Sequence, residues 1–133
     1  MLFRSGLGSF VQLDRRLDAR LAGALMSVPA VKGVEIGLGF AGACLRGTRA
    51  HDAIERDGDD LVRPTNRAGG LEGGITTGQP LVVRVALKPI ATTLLPQRSV
   101  DLATGEPADT KYERSDFCQV PRAVPIEIGR AHV

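Results

Sequence analysis

Tryptophan is absent from this chain of 133 residues, and one tyrosine and four phenylalanines are its only other aromatics. A sequence this poor in aromatic rings lacks the platforms on which single-stranded nucleic acids stack. Charge of one sign is also missing as a block: 17 Lys and Arg stand against 15 Asp and Glu, for a formal charge of +2 spread along the chain. A phosphate backbone needs a concentrated basic surface, so no nucleic-acid partner is expected. Cysteine occurs twice, as Cys44 and Cys118, with no partner at metal-ligand spacing. Two cysteines without a secretory signal fit a reducing compartment better than a disulfide framework, so no metal is expected and both residues read as buried thiols. No apolar run approaches the roughly 20 residues that span a bilayer, and no signal-type hydrophobic core follows Arg4. The expectation is a cytoplasmic, soluble chain with no membrane partner.

What remains is 43% apolar and 24% charged residues, enough for one modest domain packed by aliphatic side chains. Leu17, Leu21 and Leu25 recur every four residues from Leu13 onward, with Asp14 near the start, and predict an amphipathic helix. Pro29 cannot continue it, so it ends near Met26 or Ser27 and gives way to an extended segment, Ala30 to Ile36. Gly37, Gly39, Gly42 and Gly47 then predict loops or short turns. Between Thr48 and Arg67 the polar composition, with Asp52, Glu55, Asp57, Asp59 and Asp60, predicts a mobile solvated loop. Further on, Val100 to Glu106 suggests an irregular strand or hairpin turning near Gly105, and Pro121 precedes an apolar start at Ala123 that opens a helix.

The most informative stretch is Ala68 to Gly78, where five of eleven residues are glycine, running into the alternating segment Leu81 to Lys88. Such a loop on a strand suits an anion cradled by backbone N–H groups; a flexible turn between strands would read the same way. Alternation places Val83, Val85 and Leu87 on one sheet face and Arg84, Ala86 and Lys88 on the other. That cationic face is either solvated or directed at a ligand. His51 reads as an exposed structural histidine, and Asn66 and Arg67 either contact substrate or order the glycine loop.

Taken in order, Gly6-Leu7-Gly8-Ser9, Leu17-Asp18-Ala19-Arg20-Leu21, Ala24-Leu25-Met26-Ser27, Val31-Lys32-Gly33-Val34-Glu35-Ile36-Gly37, Gly39-Phe40, His51-Asp52, Thr65-Asn66, Gly69-Gly70, Gly73-Gly74-Ile75, Lys88-Pro89-Ile90 and Arg114-Ser115-Asp116 resemble the C-terminal part of the chorismate synthase family. The resemblance implies an α+β fold, a β-α-β sandwich with antiparallel sheets packed on helices. It implies anti-1,4-elimination of phosphate from 5-enolpyruvylshikimate 3-phosphate to give chorismate, in the shikimate pathway of aromatic amino-acid biosynthesis. The implied cofactor is reduced FMN (FMNH2), supplied externally or through NADPH, and the implied full-length assembly is a homotetramer. Carried over residue by residue, the flavin contacts are Pro29, Ala30, Gly73, Lys88, Pro89, Ile90, Ala91, Thr92 and Arg114, with Asp116 as the catalytic carboxylate near the flavin. At Pro29 the family often has Asn or Gln, which makes that contact a backbone one. A salt bridge to Arg114 is the structural alternative for Asp116.

The family's two acid histidines have no counterpart in this chain, so the chain alone is expected not to complete the reaction. A non-catalytic flavin- or phosphate-binding module is the alternative reading. The family-like span is 6–126. Residues 1–5 and 127–133 read as non-native ends, matching peptides encoded by adapter oligonucleotides, with helical patterning lost after Ile126.

Overall fold

In the computed structural model of the chain, residues 6–113 and 117–131 are described. Helix α1 (Leu17–Met26) is the centre of the molecule, and its period-four leucines explain why: Leu21 and Leu25 are only 1% and 3% exposed. Its start has no side-chain cap; the orphan Leu17 N–H instead donates to the Gly74 carbonyl at 2.9 Å, a tertiary partner in place of a local one. The acidic residue of its first turn is Asp18, paired with Arg16 at 2.6 Å, while Asp14 lies in a preceding 3-10 turn, Leu13–Arg15. The helix stops at Ser27, whose hydroxyl donates to the Ala24 carbonyl, two residues before Pro29.

Beyond it, strand β1 (Val31–Ile36) runs back along α1 and pairs antiparallel with a later strand, Val83–Leu87, from Val31↔Leu87 to Ile36↔Val83 with an irregularity between Val31 and Gly33. α1 packs on this ribbon, and Val28 and Val31 join Leu21 and Leu25 in the core. Short helices α2 (Gly39–Ala43) and α3 (Gly47–Ala50) follow β1, in keeping with the glycine-broken pattern. Both cysteines are exposed, contrary to expectation: Cys44 closes the short α2 at the surface, and Cys118 lies just before the last helix.

The polar stretch after Thr48 is also more regular than a mobile loop. Glu55–Asp57 (β2) and Asp60–Val62 (β3) form a hairpin around Gly58, which adopts a φ of +61°, and the flanking Asp-Gly dipeptide is a turn signal that outweighs the lack of apolar residues. The glycine-rich stretch is a second hairpin, β4 (Leu71–Glu72) and β5 (Ile75–Thr76), turning at Gly73-Gly74 and closed at its base by Thr77 N–H to Gly70 carbonyl. Val83–Leu87 is β6. Arg98–Val100 (β7) and Pro107–Asp109 (β8) make the third hairpin, with Gly105 in its turn as expected.

Helix α4 (Val120–Arg130) carries Pro121 in its first turn and packs on α1 through Ala123, which is buried. It continues past Ile126, although Pro125 deletes one hydrogen bond to the preceding turn. Mixed helix and antiparallel sheet is therefore the observed fold class, as the sequence predicts. Among the described residues no helix is long and apolar enough to cross a membrane.

Candidate functional site

The β1–β6 ribbon has two ends, and the candidate residues divide between them. At one end, Ala30 has a φ of +75°, the left-handed value that L side chains rarely adopt, and is the one non-glycine residue with positive φ among those described. Its carbonyl accepts the Lys88 N–H at 2.8 Å, extending the ladder one step beyond Val31↔Leu87. The Lys88 carbonyl in turn accepts the Gln119 side-chain amide at 2.5 Å, which ties the entry of α4 to the same place. Pro29, Ala30 and the segment Lys88, Pro89, Ile90, Ala91 and Thr92 thus share one end of the ribbon. Pro29, Lys88, Pro89 and Ala91 are exposed, and Ile90 and Thr92 are half-buried. Lys88 makes no ion pair among the described residues.

Gly73 sits elsewhere. Its hairpin abuts the N-terminus of α1 through Gly74, whereas Pro29 follows the C-terminus, so the ten residues of the helix separate them by roughly 15 Å. Gly73 has a φ of +59°, and nothing lies within 4 Å of where its Cβ would be, so the turn requires glycine and leaves open space above it. Arg114 and Asp116 lie outside the described residues.

Arg84 does not reach toward Lys88's end. Its guanidinium donates to Glu35 at 3.0 Å and to the carbonyls of Gly37 and Leu38 at 2.9 and 3.1 Å, so its charge is used within the ribbon. Glu35 also accepts the Phe40 N–H, and that bond, aided by Arg84, holds its carboxyl below the usual carboxylate range. Convergence of Lys88 and Arg84 on the glycine loop, implied by their shared strand face, is not seen, because four residues of strand place them at different ends of the ribbon.

The turn that leads into the glycine loop holds an anion of the chain itself, Asp52. Asp52 accepts the Thr65 hydroxyl at 2.5 Å and the Arg67 N–H at 2.8 Å on Oδ1, and the Ala68 N–H at 2.9 Å on Oδ2. Its burial opposes ionisation, but these hydrogen bonds outweigh it and hold the carboxyl below its ordinary range. Gly69 and Gly70 donate to the Asn66 carbonyl and side-chain oxygen, and Asn66 donates to the Pro80 carbonyl at 2.8 Å. Asn66 and the Arg67 backbone therefore order the loop. The Arg67 side chain donates to the His51 carbonyl, and His51 itself is exposed.

This turn interlocks with the end of β1. Leu38 N–H donates to the Arg67 carbonyl, Gly37 N–H to Val82 and Val82 N–H to Gly69. A side chain on Gly37 would collide with the Arg67 carbonyl, and one on Gly70 would come within 2.7 Å of the Pro80 carbonyl. Asp52 escaped the sequence reading because its partners lie 13 to 16 residues away, and nothing local distinguishes it from Asp57, Asp59 or Asp60.

A helix-backed antiparallel ribbon joined to glycine turns defines a mixed class of helix and antiparallel sheet. A crystal structure of chorismate synthase superposes with a TM-score of 0.66 at 54% identity, over 69% of this chain and 28% of that one. The family model described as chorismate synthase matches residues 2–131. The chorismate synthase of Moorella thermoacetica is 61% identical over 123 residues, 92% of this chain and 32% of the relative. That of Desulforudis audaxviator is 60% identical over 122 residues, 91% of this chain and 31% of the relative. The chain belongs to the chorismate synthase family. It spans about a third of the length of the curated relatives it matches.

Proposed function

We propose that this chain supplies one wall of the flavin site of a chorismate synthase, the enzyme that eliminates phosphate from 5-enolpyruvylshikimate 3-phosphate to give chorismate. The observation that carries the reading is the junction of Ala30 with Lys88, which brings separate family-like segments to one exposed patch with an unpaired cation.

The residues present fit reduced FMN in character. Lys88 offers a charge-assisted donor to a phosphate or an anionic ring, and Ile90 and Thr92 follow it with mixed apolar and hydroxyl surface. When bound, reduced flavin supplies electron density that assists departure of the phosphate. The chain's own residues bind and orient: the left-handed turn at Ala30 directs its carbonyl at Lys88 N–H and so fixes where the lysine leaves the strand. Asp116, beside Arg114 in sequence, is the carboxylate proposed to hold a proton near the flavin. Substrate, flavin, a cytoplasmic setting and assembly into a homotetramer belong to this proposal for the full-length enzyme.

Anaerobic titration calorimetry with reduced FMN and substrate tests it, comparing the chain with Lys88→Ala and with the Lys88→Ala, Arg114→Ala double variant. Loss of one charge-assisted contact is expected to weaken binding by about 10- to 100-fold, and loss of both by more. Unchanged affinity in both variants would remove the site from this patch.

A further inference from the structure

At the end of the ribbon opposite Ala30 and Lys88, one carboxylate is bound from three sides. Asp52 receives three hydrogen bonds from Thr65, Arg67 and Ala68, and the same turn is bound through the Arg67 carbonyl to Leu38 and through Gly69 to Val82. Four successive amides, Arg67 to Gly70, are therefore satisfied by Asp52 and Asn66. Immediately after them, Gly70 closes the base of the hairpin through Thr77, and Gly73 is the hairpin's turn. A hairpin with two paired residues per strand has little stability of its own, so its course is set by its attachments: the Gly70–Thr77 base on one side, and Leu17 on Gly74 and Leu7 on Thr76 on the other.

We infer that Asp52 is a positioning residue, the internal anion that clamps the Thr65–Gly70 turn and thereby aims Gly73 relative to the ribbon that carries Lys88. Its consequence for flavin binding rests on the reading proposed above. The chemistry is that of an anion held by consecutive backbone amides, with a carboxylate of the same chain in place of an external ligand. A carboxylate is required because every group facing it is a donor. Asparagine keeps one acceptor for Thr65 and Arg67 but turns a donor or an empty space toward Ala68 N–H; alanine removes all three bonds. Thr65→Val removes one bond and leaves both backbone amides on the carboxylate.

The experiment is nitrogen-15 amide NMR of the chain and of its Asp52→Asn, Asp52→Ala and Thr65→Val variants, followed by the reduced-FMN titration on each. Expected are displaced Gly73 and Gly74 amides in the order Ala > Asn > Val, while the Leu21 and Leu25 methyl signals of the core stay in place. FMN affinity is expected to fall by about tenfold in Asp52→Asn, the equivalent of one charged hydrogen bond, and by two- to threefold in Thr65→Val. A merely structural acid would move the core signals together with Gly73, or neither. Displaced Arg67 and Ala68 amides with Gly73 unmoved would overturn the inference, as would uniform change across the core in Thr65→Val. If the parent chain takes up no FMN, the flavin reading falls for this chain, and the Gly73 displacement still decides the role of Asp52.

Discussion

Asp52 and Glu127 are both partly shielded carboxylates, and their surroundings drive them in opposite directions. Donors from Thr65, Ala68 and Arg67 overcome the burial of Asp52 and favour its charged form. Both oxygens of Glu127, on α4, are shielded and have no hydrogen-bond partner among the described residues, and burial pushes its pKa up from the ordinary 4.5. A raised folded-state pKa means that folding takes up a proton at this site. The stabilising contribution is fully present below 4.5 and disappears as pH rises through the raised value. Glu127→Gln, which stays neutral, is therefore expected to raise the thermal midpoint at pH about 7 and to change it little near pH about 4. Melting curves at the two pH values check this; an equal shift at both would show that packing, and not charge, governs the site. Lys88 is the contrasting residue, exposed and unpaired among the described residues, as befits a group whose partner arrives with a ligand.

Among the elements, α1 binds the others together. It packs on β1, meets the β4–β5 hairpin at its first turn and touches α4, whose Ala123 is buried. Leu21 is the most completely buried large side chain, at 1% exposure, and lies on the face that meets these neighbours. Leu21→Ala is expected to cost about 2–5 kcal/mol, by lost transfer energy plus the cavity left behind, read as a lower urea midpoint at unchanged slope. In a chain of this size that is a large share of the whole stability. The period-four pattern made this helix legible in advance, and alternation did the same for β6. The β2–β3 hairpin was missed because its residues are exposed on every side, leaving no apolar period to detect; its only signal was Asp57-Gly58. The two cysteines were misread because a cysteine's usual burial says nothing about short surface elements such as α2.

For the whole molecule, the balance of buried and exposed apolar surface is unusual. Among the described residues six hydrophobic ones are buried, while Phe10, Val11, Leu13, Phe40, Leu94, Leu95 and Phe117 are each more than 70% exposed. Each sheet formed by the described residues has two strands, an arrangement of marginal stability without a covering layer. The chain corresponds to about a third of its relatives' length. The chain alone is accordingly expected to show no chorismate formation from 5-enolpyruvylshikimate 3-phosphate with reduced FMN. Mixing it with the complementary N-terminal part of the Moorella thermoacetica enzyme is expected to restore turnover and to quench binding of an apolar fluorescent dye. Turnover by the chain alone would refute the assignment of proton transfer to groups outside it.

Local signals in the sequence determined α1 and its stop at Pro29, the strand ending in Lys88, the hairpin at Gly105 and, through the order of its motifs, the family. The elements rest on periodicity or turn chemistry within about ten residues and the family on the order of short motifs along the chain, and both kinds of information survive in a linear chain. Only the tertiary structure decided that Arg84 is spent on Glu35, that Lys88 meets Ala30, that Gly73 lies at the far end of α1, and that Asp52 clamps the turn that precedes the glycines. These depend on contacts between residues 13 to 58 positions apart, set by how the helix and ribbon pack, and no local pattern encodes them.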